Sequence, residues 1–165
     1  MKDSRFAFGE NIVPLKAPVD SGGTAYATPW VDLKNALHAT FFYYAGVVTA
    51  TSADQAVVIT MEAATAAASG SEVAIAFKYR LSGATGANTW GDITAATTAG
   101  MSYGTTDDGK MVSIDIDPAA LEGALADARF VRMVVGIDAG GTVTLNSAWA
   151  VLDPRFPQTT HLSAT

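Results

Sequence analysis

The sequence predicts an all-β fold: a two-sheet β-sandwich of jelly-roll or immunoglobulin-like type, with one short helix and extended N- and C-terminal arms. Three observations carry this expectation. Several runs alternate with a period of two, most clearly Glu72 to Leu81, where Val73, Ile75, Phe77 and Tyr79 share one face and Ala74, Ala76, Lys78 and Arg80 the other. Aromatic and β-branched residues concentrate in such runs, and Gly, Ser, Thr and Asp separate them. About six to eight strands with a single helical connection favour two packed sheets over a barrel or an α/β fold.

Along the chain, residues 1–29 mix charges with Pro14, Pro18, Gly22, Gly23 and Pro29 and show no sustained periodicity, so they read as an extended arm. Residues 30–154 read as the sandwich domain and 155–165 as a polar tail. Trp30, Leu33 and Leu37 stand three and four apart, the spacing of a helical turn or two, although the same residues could begin a strand. Thr40 to Thr51, with Phe41, Phe42, Tyr43, Tyr44, Val47 and Val48, suits a buried central strand. After the turn-like Ser52, Ala53 and Asp54, the residues Val57, Ile59 and Met61 line one side of a second strand, and a hairpin follows. The stretch Ala63 to Ser71 lacks an apolar stripe and ends in Ser69, Gly70 and Ser71, which makes it a loop.

A turn over Ser82 to Asn88 lets Trp90 and Ile93 return to the core. Ala95 to Lys110 is a long Thr/Gly/Asp loop, with a short strand at Met101 to Tyr103 and scope for contacts outside the domain. In the next strand Val112, Ile114 and Ile116 face opposite to Met111, Ser113 and Asp115. Asp117 followed by Pro118 starts a short helix over Ala119 to Ala128, because the carboxylate accepts from orphan amides and Pro at the first helical position loses nothing. Phe130 to Ile137 and Thr142 to Leu152 form two last strands, joined as a hairpin through Asp138, Ala139, Gly140 and Gly141.

The chain has 165 residues, 49% of them apolar and many of those Ala, enough for one core without disulfides. It has no Cys, which leaves the compartment open. Ten Lys and Arg against sixteen Asp and Glu give a formal charge of −6, with no basic surplus for a phosphate backbone, so direct nucleic-acid binding is not expected. Met1 to Glu10 has no apolar core segment, so no signal peptide is expected, and no run approaches the roughly 18 apolar residues of a membrane span.

No catalytic, cofactor-binding or metal-binding residue is assigned, and no cofactor is expected. His38 lies beside Leu37 in an apolar segment without nucleophile-elbow glycines, and His161 lies in the tail; both read as non-catalytic. Asp107, Asp108 and Gly109 read as a turn, Asp115 as a strand residue and Asp117 as a helix cap, in preference to a calcium loop or a glycosidase pair. Trp30, Trp90 and Trp149 could form a sugar-stacking platform, but Trp149 alternates with core-type residues and Trp90 follows a turn into a strand, so core packing is expected. Gly140 and Gly141 open no helix and make no phosphate loop.

Three segments carry a resemblance: Ile75-Ala76-Phe77-Lys78-Tyr79-Arg80-Leu81-Ser82, Asn88-Thr89-Trp90-Gly91-Asp92-Ile93 and Arg129-Phe130-Val131-Arg132-Met133-Val134-Val135. A strand ending in a polar turn, a Trp opening the next strand and a late Arg-aromatic-Val-Arg strand resemble the small auxiliary head proteins of tailed bacteriophages, which decorate or cement the capsid, over roughly Thr40 to Leu152. Carbohydrate-binding sandwich modules show similar strand-turn-Trp patterns. The resemblance implies a non-enzymatic virion protein, assembled in the host cytoplasm, that binds repeated sites on a shell. Its partners would be the major capsid protein or other virion proteins, with a homo-oligomer matching the lattice. The alternative is a carbohydrate- or receptor-binding module of a tail or fibre. The resemblance transfers no functional residue.

Overall fold

The computed structural model describes residues 11–50, 57–68, 70–138 and 140–155. Strand makes up 57% of the described residues and helix 5%, the balance of an all-β fold. In chain order the strands are β1 Asn11–Val19, β2 Tyr26–Ala27, β3 Val31–Asp32, β4 Ala36–Tyr44, β5 Val47–Thr49, β6 Val57–Ala64, β7 Val73–Ile75, β8 Phe77–Leu81, β9 Thr94–Ala96, β10 Met101–Tyr103 and β11 Met111–Ile116. Helix α1, Pro118–Leu121, precedes β12 Phe130–Ile137, β13 Thr142–Thr144 and β14 Asn146–Pro154.

The larger sheet has the order β1-β14-β4-β11-β8-β9, and the smaller runs β10-β6-β12-β2, with β3 also on β12 and β7 also on β6. Every one of these pairings is antiparallel. β13 and β5 form a separate two-stranded ribbon. One core cluster unites both sheets: Phe41, Tyr43, Val112 and Ile114 come from the larger, and Ile59, Met61, Val131 and Met133 from the smaller. The chain passes between them at Ala76, so that Val73–Ile75 pairs with β6 while Phe77–Leu81 pairs with β11. Ile75 and Phe77 are both buried, and the alternation read from Glu72 to Leu81 continues through this crossing.

Several expectations change. Residues 11–29 are not a free arm: β1 pairs with β14 from Asn11↔Leu152 to Val19↔Asn146, with register shifts after Pro14 and Lys16. Prolines are admitted here because an edge strand has one row of N–H groups without ladder partners. Residues 1–10 and 156–165 lie outside the described residues. The Trp30–His38 segment takes its extended alternative, as β3 and the start of β4. The helix after Asp117 stops at Leu121 and continues as turns, with Gly123 and the positive-φ Asp127 (59°) within the expected span. Its cap is as read: Asp117 Oδ1 accepts from Ala119 N at 2.9 Å, with Pro118 in the first turn.

The hairpin expected between Phe130–Ile137 and Thr142–Leu152 does not form. A turn closes there, with Gly141 N donating to Asp138 O at 2.8 Å, but β12 pairs with β6, β13 with β5, and β14 with β1 and β4. Asn146, fully buried, anchors the return into the larger sheet. Its Oδ1 accepts from the Tyr26 hydroxyl at 2.7 Å, and its Nδ2 donates to Val19 O and to Ser21 Oγ.

Charged groups on the smaller sheet are paired. Arg132 Nε donates to Glu62 Oε2 at 2.7 Å across β12 and β6, and its guanidinium lies 4.4 Å from the Trp30 ring centroid. Arg129 grips Asp32 with two nitrogens, Nε donating to Oδ1 at 2.7 Å. Burial raises the Asp32 carboxyl's pKa, but the Arg129 hydrogen bond, the Lys34 amide and the nearby positive charges outweigh it, leaving the pKa below its ordinary value.

A depressed folded-state pKa gives stability that is present above the unfolded value of about 3.9 and lost as pH falls through the folded one. Asp32→Asn is therefore expected to lower the melting temperature at pH 7 and to shrink its gap to wild type at pH 2 to 3, as followed by circular dichroism. Gly100 gives a second expectation. Its φ is +90°, and a Cβ there would sit 2.4 Å from Ile59 O on β6, so neither the conformation nor the space suits a side chain. Gly100→Ala should cost roughly 2 kcal/mol or more in urea unfolding.

Candidate functional site

Alternation along a sheet packed on one side decides what the other side displays. In the larger sheet Ala39, Phe41 and Tyr43 of β4 face the core, so Thr40, Phe42 and Tyr44 face out. On β14 the inward residues are Ala148, Ala150 and Leu152, and the outward ones include Trp149 and Val151. Ala148 is in register with Tyr43, and Ala150 with Phe41, so small residues lie beside the bulky inward rings of β4.

Register then builds two rows across the outer face. Pro14, Trp149, Phe42, Ser113 and Arg80 form one, and Ile12, Val151, Thr40, Asp115 and Lys78 the next. The β1, β14 and β4 part is thus largely apolar, with Ile12 48% exposed and Trp149, Val151 and Phe42 half-buried. The β11 and β8 part is charged. Phe42 and Trp149 stack on each other with centroids 5.5 Å apart and planes 16° apart.

Trp90 and Trp149 lie outside the core, contrary to the expectation from sequence, whereas Trp30 is buried. Trp30 is buried beneath Arg132, Trp149 is on the outer face, and Trp90 is 38% exposed with the Arg80 guanidinium 5.4 Å from its ring centroid. Ile93, also expected in the core, is 63% exposed. Period-two patterning reveals which residues share a face but not which face is inward; the Ala-bearing face of β14 is the signal for Trp149.

His38 is an exposed residue of β4 in register with Asp153, and His161 lies outside the described residues. Asp107 accepts from Lys110 Nζ at 2.8 Å and from Gly104 N at 3.1 Å. Asp108 Oδ1 accepts from Val48 N at 2.8 Å, Asp115 accepts from the Thr40 hydroxyl at 3.1 Å, and Asp117 caps α1. Each of these carboxylates thus has a local role, and among the described residues no group of three His, Cys, Asp or Glu is gathered as metal ligands. Gly140 and Gly141 lie in the turn between β12 and β13.

The loop around Asp107 is stitched to the domain by Tyr103, whose buried hydroxyl lies within hydrogen-bond distance of three carbonyls, of Ala45, Asp107 and Lys110. Burial, reinforced by Asp107 and Asp108, pushes the Tyr103 phenol well above its ordinary pKa. Burial does the same for Tyr43, whose ring meets that of Tyr103 edge-on at 5.6 Å and whose hydroxyl has no hydrogen-bond partner among the described residues. Tyr103 is thus a structural donor, and neither phenol acts as an acid or base near neutral pH.

Two clefts open on the described surface. One of about 670 Å³ opens beside α1 over Ile75, Phe77, Ile116 and Leu121, with His38 and Lys78 among its lining residues. A smaller one, of about 230 Å³, lies between Tyr44, Trp90, Met111 and the loop around Gly86. Compared with protein-family models, curated proteins and solved structures, the chain matches none.

The outer face and the core should respond differently to truncation. Ile114→Ala, in the fully buried centre, is expected to cost about 2–5 kcal/mol, whereas Ile12→Ser should stay within about 1 kcal/mol, both read from chemical denaturation.

Proposed function

We propose that this protein is a non-enzymatic structural protein of a tailed-phage virion, which decorates or cements the capsid by docking the apolar part of its larger sheet's outer face onto repeated sites of the shell. The supporting observation is that face: Ile12, Pro14, Val151, Trp149 and Phe42 side by side across three strands. An apolar patch with a charged border is the pattern of a protein-docking surface, and burying it against a partner is favourable in proportion to the apolar area removed from water. The Phe42 and Trp149 rings use faces on each other, which favours a flat protein contact over a row of free stacking platforms. The phage setting rests on the resemblance of the three segments to auxiliary head proteins.

The partner is the major capsid protein or another virion protein. A homo-oligomer engaging several equivalent shell sites would turn weak contacts into firm attachment through effective concentration. Contacts made only on the assembled shell oppose its rupture, as any ligand of one state stabilises that state.

The test is co-sedimentation with purified capsids lacking the protein. Wild type should bind at saturable stoichiometry, and Ile12→Lys combined with Val151→Lys should weaken binding at least about tenfold while leaving the circular dichroism spectrum unchanged. Particles without the protein should assemble but release DNA at lower temperature. Equally robust particles that fail to adsorb to the host would replace this reading with a receptor-binding role.

A further inference from the structure

Trp90 is an anomaly that the docking face does not explain. It lies on the β8 side of the larger sheet, away from β1 and β14, and keeps 38% of its surface in solvent. Its position is nonetheless fixed. Trp90 bridges Ser82, Gly91 N donates to Leu81 O at 2.8 Å, and Gly83 N donates to Thr89 O at 2.8 Å, closing the intervening loop on itself. The Thr85 hydroxyl donates to Gly109 O at 2.9 Å and ties that loop to the neighbouring turn. The Arg80 guanidinium near the ring adds a cation–π contact. An exposed indole is therefore held on a preformed support.

Beside it is the 230 Å³ cleft, lined by Trp90, Tyr44 and Met111, with Thr85, Gly86 and Gly109 among the small residues. No lining residue is charged. The Arg80 guanidinium, 5.4 Å from the Trp90 ring centroid, is already engaged with that ring, and a cationic ligand would find no opposite charge among the lining residues and would lose hydration without compensation. The volume falls below the roughly 300–1,000 Å³ of drug-sized sites and suits a single ring. Two aromatic side chains favour a ligand with apolar C–H faces, and Tyr44, Ser82 and Thr85 bring hydroxyl groups to the lining. A neutral pyranose has this chemistry. With substituents equatorial, as in the gluco configuration, it presents axial C–H groups on both faces, so that it can meet two aromatic walls; an axial hydroxyl, as in galactose, spoils one of them.

From this geometry we infer that the Tyr44–Trp90 cleft is a binding site for one gluco-configured sugar ring of a neutral glycan. This site is independent of capsid docking.

The experiment is an NMR titration of the full chain with cellotriose, chitotriose and β-1,4-galactobiose, following the Trp indole N–H resonances, with Trp90 assigned through Trp90→Phe. A saturable shift of the Trp90 signal by cellotriose or chitotriose, with dissociation constants in the millimolar range, is expected, and galactobiose should bind several-fold more weakly. Trp90→Ala should weaken binding about tenfold or more, Trp90→Phe should retain part of it, and Trp149→Ala should leave it unchanged. Superposable backbone spectra of the variants would confirm that each is folded. Absence of a saturable Trp90 shift with both gluco-configured sugars, undiminished binding by Trp90→Ala, or equal binding of galactobiose would overturn the inference.

Discussion

The structure depends on β4 being hydrogen-bonded on both edges and packed against the core on one face. Its N- and C-terminal neighbours in the sheet are not its neighbours in sequence: β14 comes from the far end of the chain, and β11 from its middle. With both edges occupied, β4 cannot shift by one residue without sending Phe41 and Tyr43 to solvent and Phe42 and Tyr44 into the core. The same constraint that buries one set of rings therefore displays the other. Core and candidate docking face are two consequences of a single register.

Complementary size sets the arrangement around that strand. Phe41 and Tyr43 fill much of the space between the sheets, and the adjoining β14 contributes Ala148 and Ala150 inward. A close-packed interior accommodates large beside small more readily than large beside large. Trp149 and Val151 are thereby turned outward, where they meet Phe42 and, through β1, Pro14 and Ile12. Packing inside the sandwich thus determines the apolar character of its outside.

Polar groups finish the job where strands leave the ladders. Asn146 satisfies Tyr26, Val19 and Ser21 at the point where β14 begins, Tyr103 holds the turn after β10, and Asp108 reaches the amide of Val48. Buried polar atoms left unpaired cost more than ordinary hydrogen bonds contribute, so such contacts define which loop conformations are compatible with the fold. The acidic residues of the Asp107 to Asp117 region serve these local ends, which explains why a sequence with several clustered carboxylates gathers no ligand set from them.

The sequence alone determined the all-β class, the Asp117 cap and which residues of β6 and of β11 share a face, because these follow from local alternation and from a carboxylate within reach of nearby amides. Tertiary structure decided the partners. Asp138 to Gly141 makes the turn expected of it, yet β12 and β14 enter different sheets, since a turn's chemistry does not say which distant edge is free. β1 escaped the periodic reading because an edge strand tolerates prolines and register shifts that would break a central one. Trp149 and Trp90 were legible as aromatic residues in or beside strands, but their outward placement depended on which face the opposite sheet covered and which residues already filled the space beneath it. Local sequence sets the period; only long-range packing sets its phase and its neighbours.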